Sequence, residues 1–378
     1  MQITQLDLPE GMIDFGIGQP ALSLLPVEIL QQAAEHRLKK GDPSILQYGT
    51  ETGNGYFRSS LSEFLSDGYK MPVSANQLFI TSGATQGLNL ICTYFAKSGD
   101  TIFVEEPSYF LALHLFKDRH LNMVSLPVDK DGLIIEALEE KLDRHIPAFL
   151  YTVPTFHNPS TVTLSADRRD KLVRLSEKHN FYIIADEVYQ LLAYTVTPPP
   201  PMMTYDNSGT VLSLGSFSKI LAPGLRLGWI QAKPALFNKL KQSGLLLSGG
   251  GLNPFTSGIV QSVLELGLQH DHLERLRRVY GERSAELSAA LRKHLPAGAD
   301  FPEPRGGFFI WMRLPEELDA QSFCSKARKQ NLDFQPGIHF SSSQGLRNYL
   351  RLSFSYYDVK DLCEGIKRLA KIFSPQLV

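Results

Sequence analysis

The feature that most constrains the fold is an alternation in the middle of the chain. Short apolar runs rich in β-branched and aromatic residues are separated by longer stretches of helical period. The strand candidates are residues 77–80, 101–104, 123–126, 148–152, 181–185, 211–214 and 227–231. Near-continuous apolar runs of that length suit strands buried on both faces, and the intervening helices supply the cover. The pattern therefore predicts an α/β fold with a large, mostly parallel central sheet flanked by helices. After about residue 270 it changes to a charged amphipathic helix, HLERLRRVYGERSAELSAALRKHL, then GGFFIWMRL, a further helix and YLRLSFS, which reads as a smaller α+β unit. The expected division is a large domain over 45–268 and a small domain made of 269–378 together with the N-terminal segment 1–44.

Charge narrows the partners. In the 378 residues, 38 Lys and Arg nearly cancel 39 Asp and Glu, and no basic run stands out. Electrostatic binding to nucleic acid or a membrane surface is not expected, which leaves small molecules. Cys92, Cys324 and Cys363 are odd in number and widely spaced, against a disulfide framework or a clustered metal site, so they are read as buried thiols and no metal is expected. The start, MQITQLDLPEGMIDF, lacks a basic segment followed by an apolar stretch, and no apolar run reaches bilayer-spanning length. A cytoplasmic protein is expected.

In open α/β sheets ligands bind beyond the carboxyl ends of the strands, so polar residues directly after apolar runs are the candidates. FITSGATQ offers Gly83, where backbone can approach a ligand, and the N–H groups of Ala84 and Thr85 at a helix start, which favour an anion such as phosphate. VEEPSY presents Tyr109, AFLYTVPTFHNP presents Asn158, and FYIIADEVY presents Asp186 and Tyr189. SLGSFSKILAPGLRLGW sets Lys219 among hydroxyls and seven residues before Arg226. A desolvated lysine at a sheet mouth is a candidate Schiff-base nucleophile, and Arg226 can both lower its pKa and hold a phosphate. Singly these residues also read as caps, core tyrosines, a turn and a solvated lysine. A lysine, a phosphate cradle, an aromatic platform and an acid together describe a pyridoxal phosphate pocket.

The motifs SGATQ, EEPSY, TFHNP, ADEVY, SFSKILAPGLRLGW and YLRLSFS, in this order, resemble the fold-type I pyridoxal-phosphate aminotransferases of class I/II. The similarity is greatest to the branch of aminoadipate, kynurenine and broad-range aminotransferases, and it runs from FGIGQP to Phe354. The resemblance implies pyridoxal 5'-phosphate as cofactor, with Lys219 as the lysine that binds it covalently and then shuttles a proton. It implies phosphate contacts from Gly83, Ala84, Thr85, Ser216 and Arg226, and Asp186 against the ring nitrogen. Asn158 and Tyr189 are implied at the ring's phenolic oxygen and Tyr109 on the ring face. Arg351 is implied to grip the substrate carboxylate, with Gly18 beside the substrate. It further implies a homodimer in which Tyr48 reaches the neighbouring subunit's phosphate.

The implied reaction is a ping-pong exchange in which an L-amino acid gives its amino group to a 2-oxo acid, 2-oxoglutarate or pyruvate. Three rivals differ in testable ways. β-Elimination on the same cofactor would release pyruvate without an acceptor. A ligand sensor resembling the domain fused to some transcription regulators would need a DNA-binding segment, and none precedes residue 15. A dehydrogenase would need a full glycine fingerprint after a strand. Neither Arg58 nor Arg305 can be assigned to a distal substrate carboxylate, and the glycine-rich stretch at Gly249–Gly251 reads as a mobile loop at the subunit interface.

Overall fold

The structure, a computed structural model, describes residues 6–294 and 298–373. The chain enters through a short strand, β1 (Ile13–Asp14), and then builds β2 (Leu78–Thr81), β3 (Thr101–Glu106), β4 (Asn122–Asp129), β5 (Gly132–Leu133), β6 (Phe149–Thr152), β7 (Tyr182–Asp186), β8 (Val211–Ser216) and β9 (Gly228–Ala232). Strands β2 to β9 form one sheet in the order β2-β9-β8-β7-β6-β3-β4-β5. The run from β8 to β4 is parallel, while β9 lies antiparallel to both of its neighbours. This is the predicted α/β sheet, mostly parallel and flanked by helices. The apolar runs became central strands because both of their faces are covered: Phe103, Leu150, Ile183 and Val211 join one core cluster, and Ile102, Phe149, Ile184 and Leu212 join the other.

Small offsets have local causes. The run read from residue 77 starts at Leu78 because Gln77 closes a capping box with Ser74 in a preceding 3-10 turn. The short strand β5 lies outside the apolar runs and pairs with the end of β4. Of the three cysteines only Cys92 is fully buried, where burial pushes its thiol up to about 12. Cys324 and Cys363 keep partial exposure on helices Ala320–Lys329 and Val359–Phe373, which corrects the expectation of three buried thiols. Among the described residues no helix is long and apolar enough to cross a membrane.

After the long helix Leu268–His294 come β10 (Phe309–Arg313), β11 (Leu332–Asp333), β12 (Gln335–Pro336) and β13 (Tyr349–Ser353). Strands β10, β13 and β12 make an antiparallel sheet, and β1 pairs in parallel with β11. Phe15, just after β1, is buried against Gly365, where an added Cβ would lie 2.5 Å from the Phe15 ring. Farther on, helix Val27–Lys39 packs on helix Pro254–Glu265, and Arg37 reaches Ser262 and Glu265. The strip Gly16–Gly18 is thereby stretched between β13 and the carboxyl edge of the large sheet.

Candidate active site

The parallel strands aim their carboxyl ends at one edge, and β2 joins them there: Thr81 and Ser216 both face Gly228 in register. Beyond Thr81 the chain turns at Gly83, whose φ of +85° is open to glycine without strain, and helix Ala84–Phe95 begins with no side-chain cap. Arg226 lies across this bare N-terminus. Its Nη2 donates to Ser82 O at 3.4 Å and its Nη1 to Pro223 O at 3.1 Å, and a Cβ on Gly83 would stand 2.7 Å from Nη2. Gly228 permits the approach, since a Cβ there would fall 3.0 Å from Ala84 N. The Ser216 hydroxyl at the end of β8 donates to Ser218 Oγ at 2.9 Å. A guanidinium, a serine hydroxyl and free helix N–H groups thus share one edge, a composition that suits a phosphate.

Lys219 projects from the turn after β8, and its Nζ donates to Gly18 O at 2.7 Å. Burial holds its pKa down to about 8, helped by the charges of Arg351 and Arg226 and opposed by Asp186. Asp186, the last residue of β7, is buried and accepts the Tyr151 hydroxyl on Oδ2 at 2.8 Å. Its Oδ1 is buried and makes no well-formed hydrogen bond, although the Val188 N–H lies near enough to the carboxyl to oppose the rise in its pKa. Burial lifts the carboxyl to about 6 against the opposing hydrogen bond from Tyr151. Leaving a buried acceptor unpaired is costly, so this oxygen fits a ligand that brings an N–H. Tyr109 and Tyr189 both feel the Asp186 charge, and Tyr189 packs edge-on against Phe308 and Phe309.

Arg351, in the middle of β13, is only 2% exposed. Its guanidinium lies 4.0 Å from the centre of the Phe309 ring and 5.0 Å from that of Phe340. Nη1 donates to Asn158 Oδ1 at 2.9 Å and Nη2 to Gly16 O at 2.8 Å, while Nε is buried without a partner. No carboxylate forms an ion pair with it among the described residues. Burial lowers its pKa to about 10, which leaves it charged at neutral pH. A buried cation with an unused N–H and no anion is a receptor for a carboxylate. Gly18 borders it: a Cβ there would lie 3.0 Å from Phe309 and 4.0 Å from Arg351 Nη2.

A model of the family described as aminotransferase class I and II matches residues 10–369. The chain belongs to the class I and II aminotransferases. It is 36% identical to aromatic-amino-acid aminotransferase 1 of Thermococcus litoralis, over 100% of this chain and 91% of that one. Its fold superposes with a TM-score of 0.91 on the kynurenine aminotransferase of Pyrococcus horikoshii in complex with PMP, at 33% identity over 97% of this chain and 92% of that one. The α-aminoadipate aminotransferase of Thermus thermophilus, complexed with N-(5'-phosphopyridoxyl)-L-leucine, gives 0.88 at 30% identity, over 97% and 93%. The aminotransferase is a pyridoxal phosphate enzyme of fold type I, and the residues present fit that cofactor: an orphaned carboxylate oxygen for a ring N–H, a bare helix start beside Arg226 for a phosphate, and a lysine of lowered pKa.

Direct contacts thus link Lys219 to Gly18, Arg351 to Asn158 and Gly18, and Arg226 to Gly83. Tyr109, Tyr189 and Lys219 lie within reach of the Asp186 charge, Ser216 ends β8, Ala84 opens the helix, and Thr85 is exposed in its first turn. Tyr48 stands apart, 83% exposed on the loop before Gly53. Gly250 and Gly251 lie directly against that loop: added Cβ atoms would meet Gly49 O and Thr50 O at 1.9 Å. This close backbone approach requires glycine at 250 and 251, whereas a Cβ on Gly249 would meet nothing within 4 Å. Arg58 is engaged with Gly53 O at 3.2 Å and Ala75 O at 2.9 Å. Sequence reasoning missed Tyr151, Phe309, Phe340 and Asn253, whose Nδ2 donates to Ser82 Oγ at 3.1 Å. The hydroxyl of Tyr151 within the run AFLYTV signalled that some polar partner was needed, but not which one.

Proposed function

We propose that the protein exchanges the amino group of an L-amino acid with a 2-oxo acid, 2-oxoglutarate or pyruvate, in two half-reactions at one site. When bound, pyridoxal phosphate supplies an electron sink for the negative charge left at the donor's Cα. The observation that carries the reading is the pairing of an anion-free buried Arg351 with a Lys219 of lowered pKa that shares the Gly16–Gly18 strip. Arg351 grips the α-carboxylate through parallel N–H donors and fixes which bond at Cα faces Lys219. Lys219, neutral once its proton is lost, takes the Cα proton and returns it. Asp186 accepts the ring N–H on Oδ1, with Tyr151 holding Oδ2, and Asn158 and Tyr189 serve the ring oxygen. Gly83, Ala84, Thr85, Ser216 and Arg226 hold the phosphate, and Tyr109 covers the ring.

The aromatic rings of Phe110, Phe309 and Phe340 about Arg351, and the commitment of Arg58 to backbone carbonyls, support a donor with an apolar or aromatic side chain. Tyr48, exposed in a cleft shared with Tyr56 and Pro254, is free to reach a neighbouring chain, which supports a homodimer in which it completes the partner's phosphate site. A screen of phenylalanine, leucine, alanine, glutamate and 2-aminoadipate against 2-oxoglutarate and pyruvate tests the reaction. Parallel double-reciprocal lines with an aromatic or aliphatic donor are expected. Pyruvate released from a β-substituted amino acid without an acceptor, and no exchange with any pair, would overturn it.

A further inference from the structure

We propose that Arg169, outside the pocket, is a positioning residue that fixes Asn158, Asp186 and Tyr189 relative to one another. The inference rests on the roles given to those three residues above. Arg169 lies on helix Ala166–His179 beneath the carboxyl edge of the sheet and is 0% exposed. A guanidinium is not buried without cause, because leaving water must be repaid by well-placed acceptors.

All of its acceptors but Pro200 O belong to the segments that carry the three pocket residues. Nη2 donates to Pro154 O and to Thr155 Oγ1, each at 2.7 Å, in the loop leading to Asn158. Nη1 lies 3.6 Å from Glu187 Oε1, immediately after Asp186, and donates to Pro200 O at 2.9 Å. Nε donates to Leu164 O at 2.9 Å. Thr155 passes the hold onward: its hydroxyl donates to Gln190 Oε1 at 2.5 Å, next to Tyr189, and Gln190 Nε2 donates to Pro199 O at 2.8 Å. An arginine can only donate, so Thr155 must accept from it and spend its own proton on Gln190. The direction of the whole relay is therefore set by Arg169.

Asp186 and Glu187 are consecutive buried carboxylates. Tyr151 serves the first and Arg169 the second. Without Arg169, Glu187 loses its cation, and its charge or its acquired proton disturbs the neighbouring Asp186. A role that is only structural would lower stability and leave the pocket's titration alone.

Three variants of the cofactor-loaded enzyme test this: Thr155→Val, which keeps the shape but breaks the relay, Arg169→Lys, and Arg169→Met. Thermal stability, kcat, donor KM and the pKa of the cofactor's visible absorption are measured for each. Thr155→Val is expected to stay folded, lose between about tenfold and a hundredfold in kcat at nearly unchanged KM, and shift the spectral pKa by about one unit. Arg169→Met should show the larger effect and Arg169→Lys a partial rescue. If Arg169→Met does not fold, the other two variants decide. Wild-type kcat and spectral pKa in folded Thr155→Val and Arg169→Lys would overturn the proposal. Lys219→Ala is measured alongside: full activity in that variant would sink the reading of the pocket itself, whereas its inactivity beside wild-type behaviour in the other two sinks only Arg169.

Discussion

At neutral pH a lysine of ordinary basicity is neutral in roughly 0.03% of molecules, whereas one at about 8, as burial and Arg351 hold Lys219, is neutral in about a tenth. Only the neutral amine attacks a carbonyl. The rate at which cofactor-free enzyme takes up pyridoxal phosphate should therefore rise with pH up to about 8 and then level off, as absorbance after mixing will show; a rise continuing to pH 10 would contradict the lowered pKa. Lys219→Ala should lose both the visible band of covalent attachment and transamination while still holding cofactor noncovalently. Asp186→Ala removes the buried partner of the ring N–H, at a site where such a group is worth several kcal/mol in the transition state, so kcat should fall roughly a thousandfold or more. Arg351→Ala acts differently. Its fork holds the carboxylate in ground and transition states alike, so donor KM should rise steeply and kcat less.

Among elements, the turn from β2 into helix Ala84–Phe95 is the least tolerant of change. Gly83→Ala would place a methyl 2.7 Å from Arg226 Nη2 on a backbone with φ of +85°, so cofactor affinity should drop at least about tenfold while the sheet still forms. Titration of cofactor-free protein by fluorescence measures this, and unchanged affinity would remove the turn from the phosphate site. This element was legible in the sequence because its chemistry is local: strand, glycine and helix start follow one another in FITSGATQ. The strands were legible for the same reason, as unbroken apolar runs. Tyr151 was not, because its hydroxyl finds Asp186 only once β6 and β7 pair in parallel, and that register is written in neither run. The ring of Phe309 meets Arg351 through the pairing of β10 with β13, again a long-range fact. The need for glycine at 250 and 251 was likewise hidden, since the backbone of Gly49 and Thr50 that they approach lies about 200 residues away in sequence.

For the whole molecule, the role proposed for Tyr48 at a partner's phosphate site predicts an assembly in which each site draws on two chains. A two-fold dimer repeats each contact, so mixing Lys219→Ala chains with Tyr48→Ala chains should produce hybrids with one doubly defective site and one intact site. Activity above both parents after subunit exchange is expected; activity at their summed level, with exchange shown by mass, would confine Tyr48 to its own chain. The Gly16–Gly18 strip carries a consequence of another kind, one of time. Gly18 O receives Lys219 and Gly16 O receives Arg351, and the strip is anchored by the pairing of β1 with β11. Residues made first are thus seated last. At ~5–20 residues per second of synthesis, Phe15 and Ile17 wait roughly 20–60 s for β11 and β13 to be made, while the cradle from Gly83 to Arg226 is already complete in sequence. On the proposed reading, a growing chain would carry the residues of the phosphate cradle, from Gly83 through β9, for several seconds before it carried Arg351, and Phe15 and Ile17 would wait through that interval for the strands that cover them.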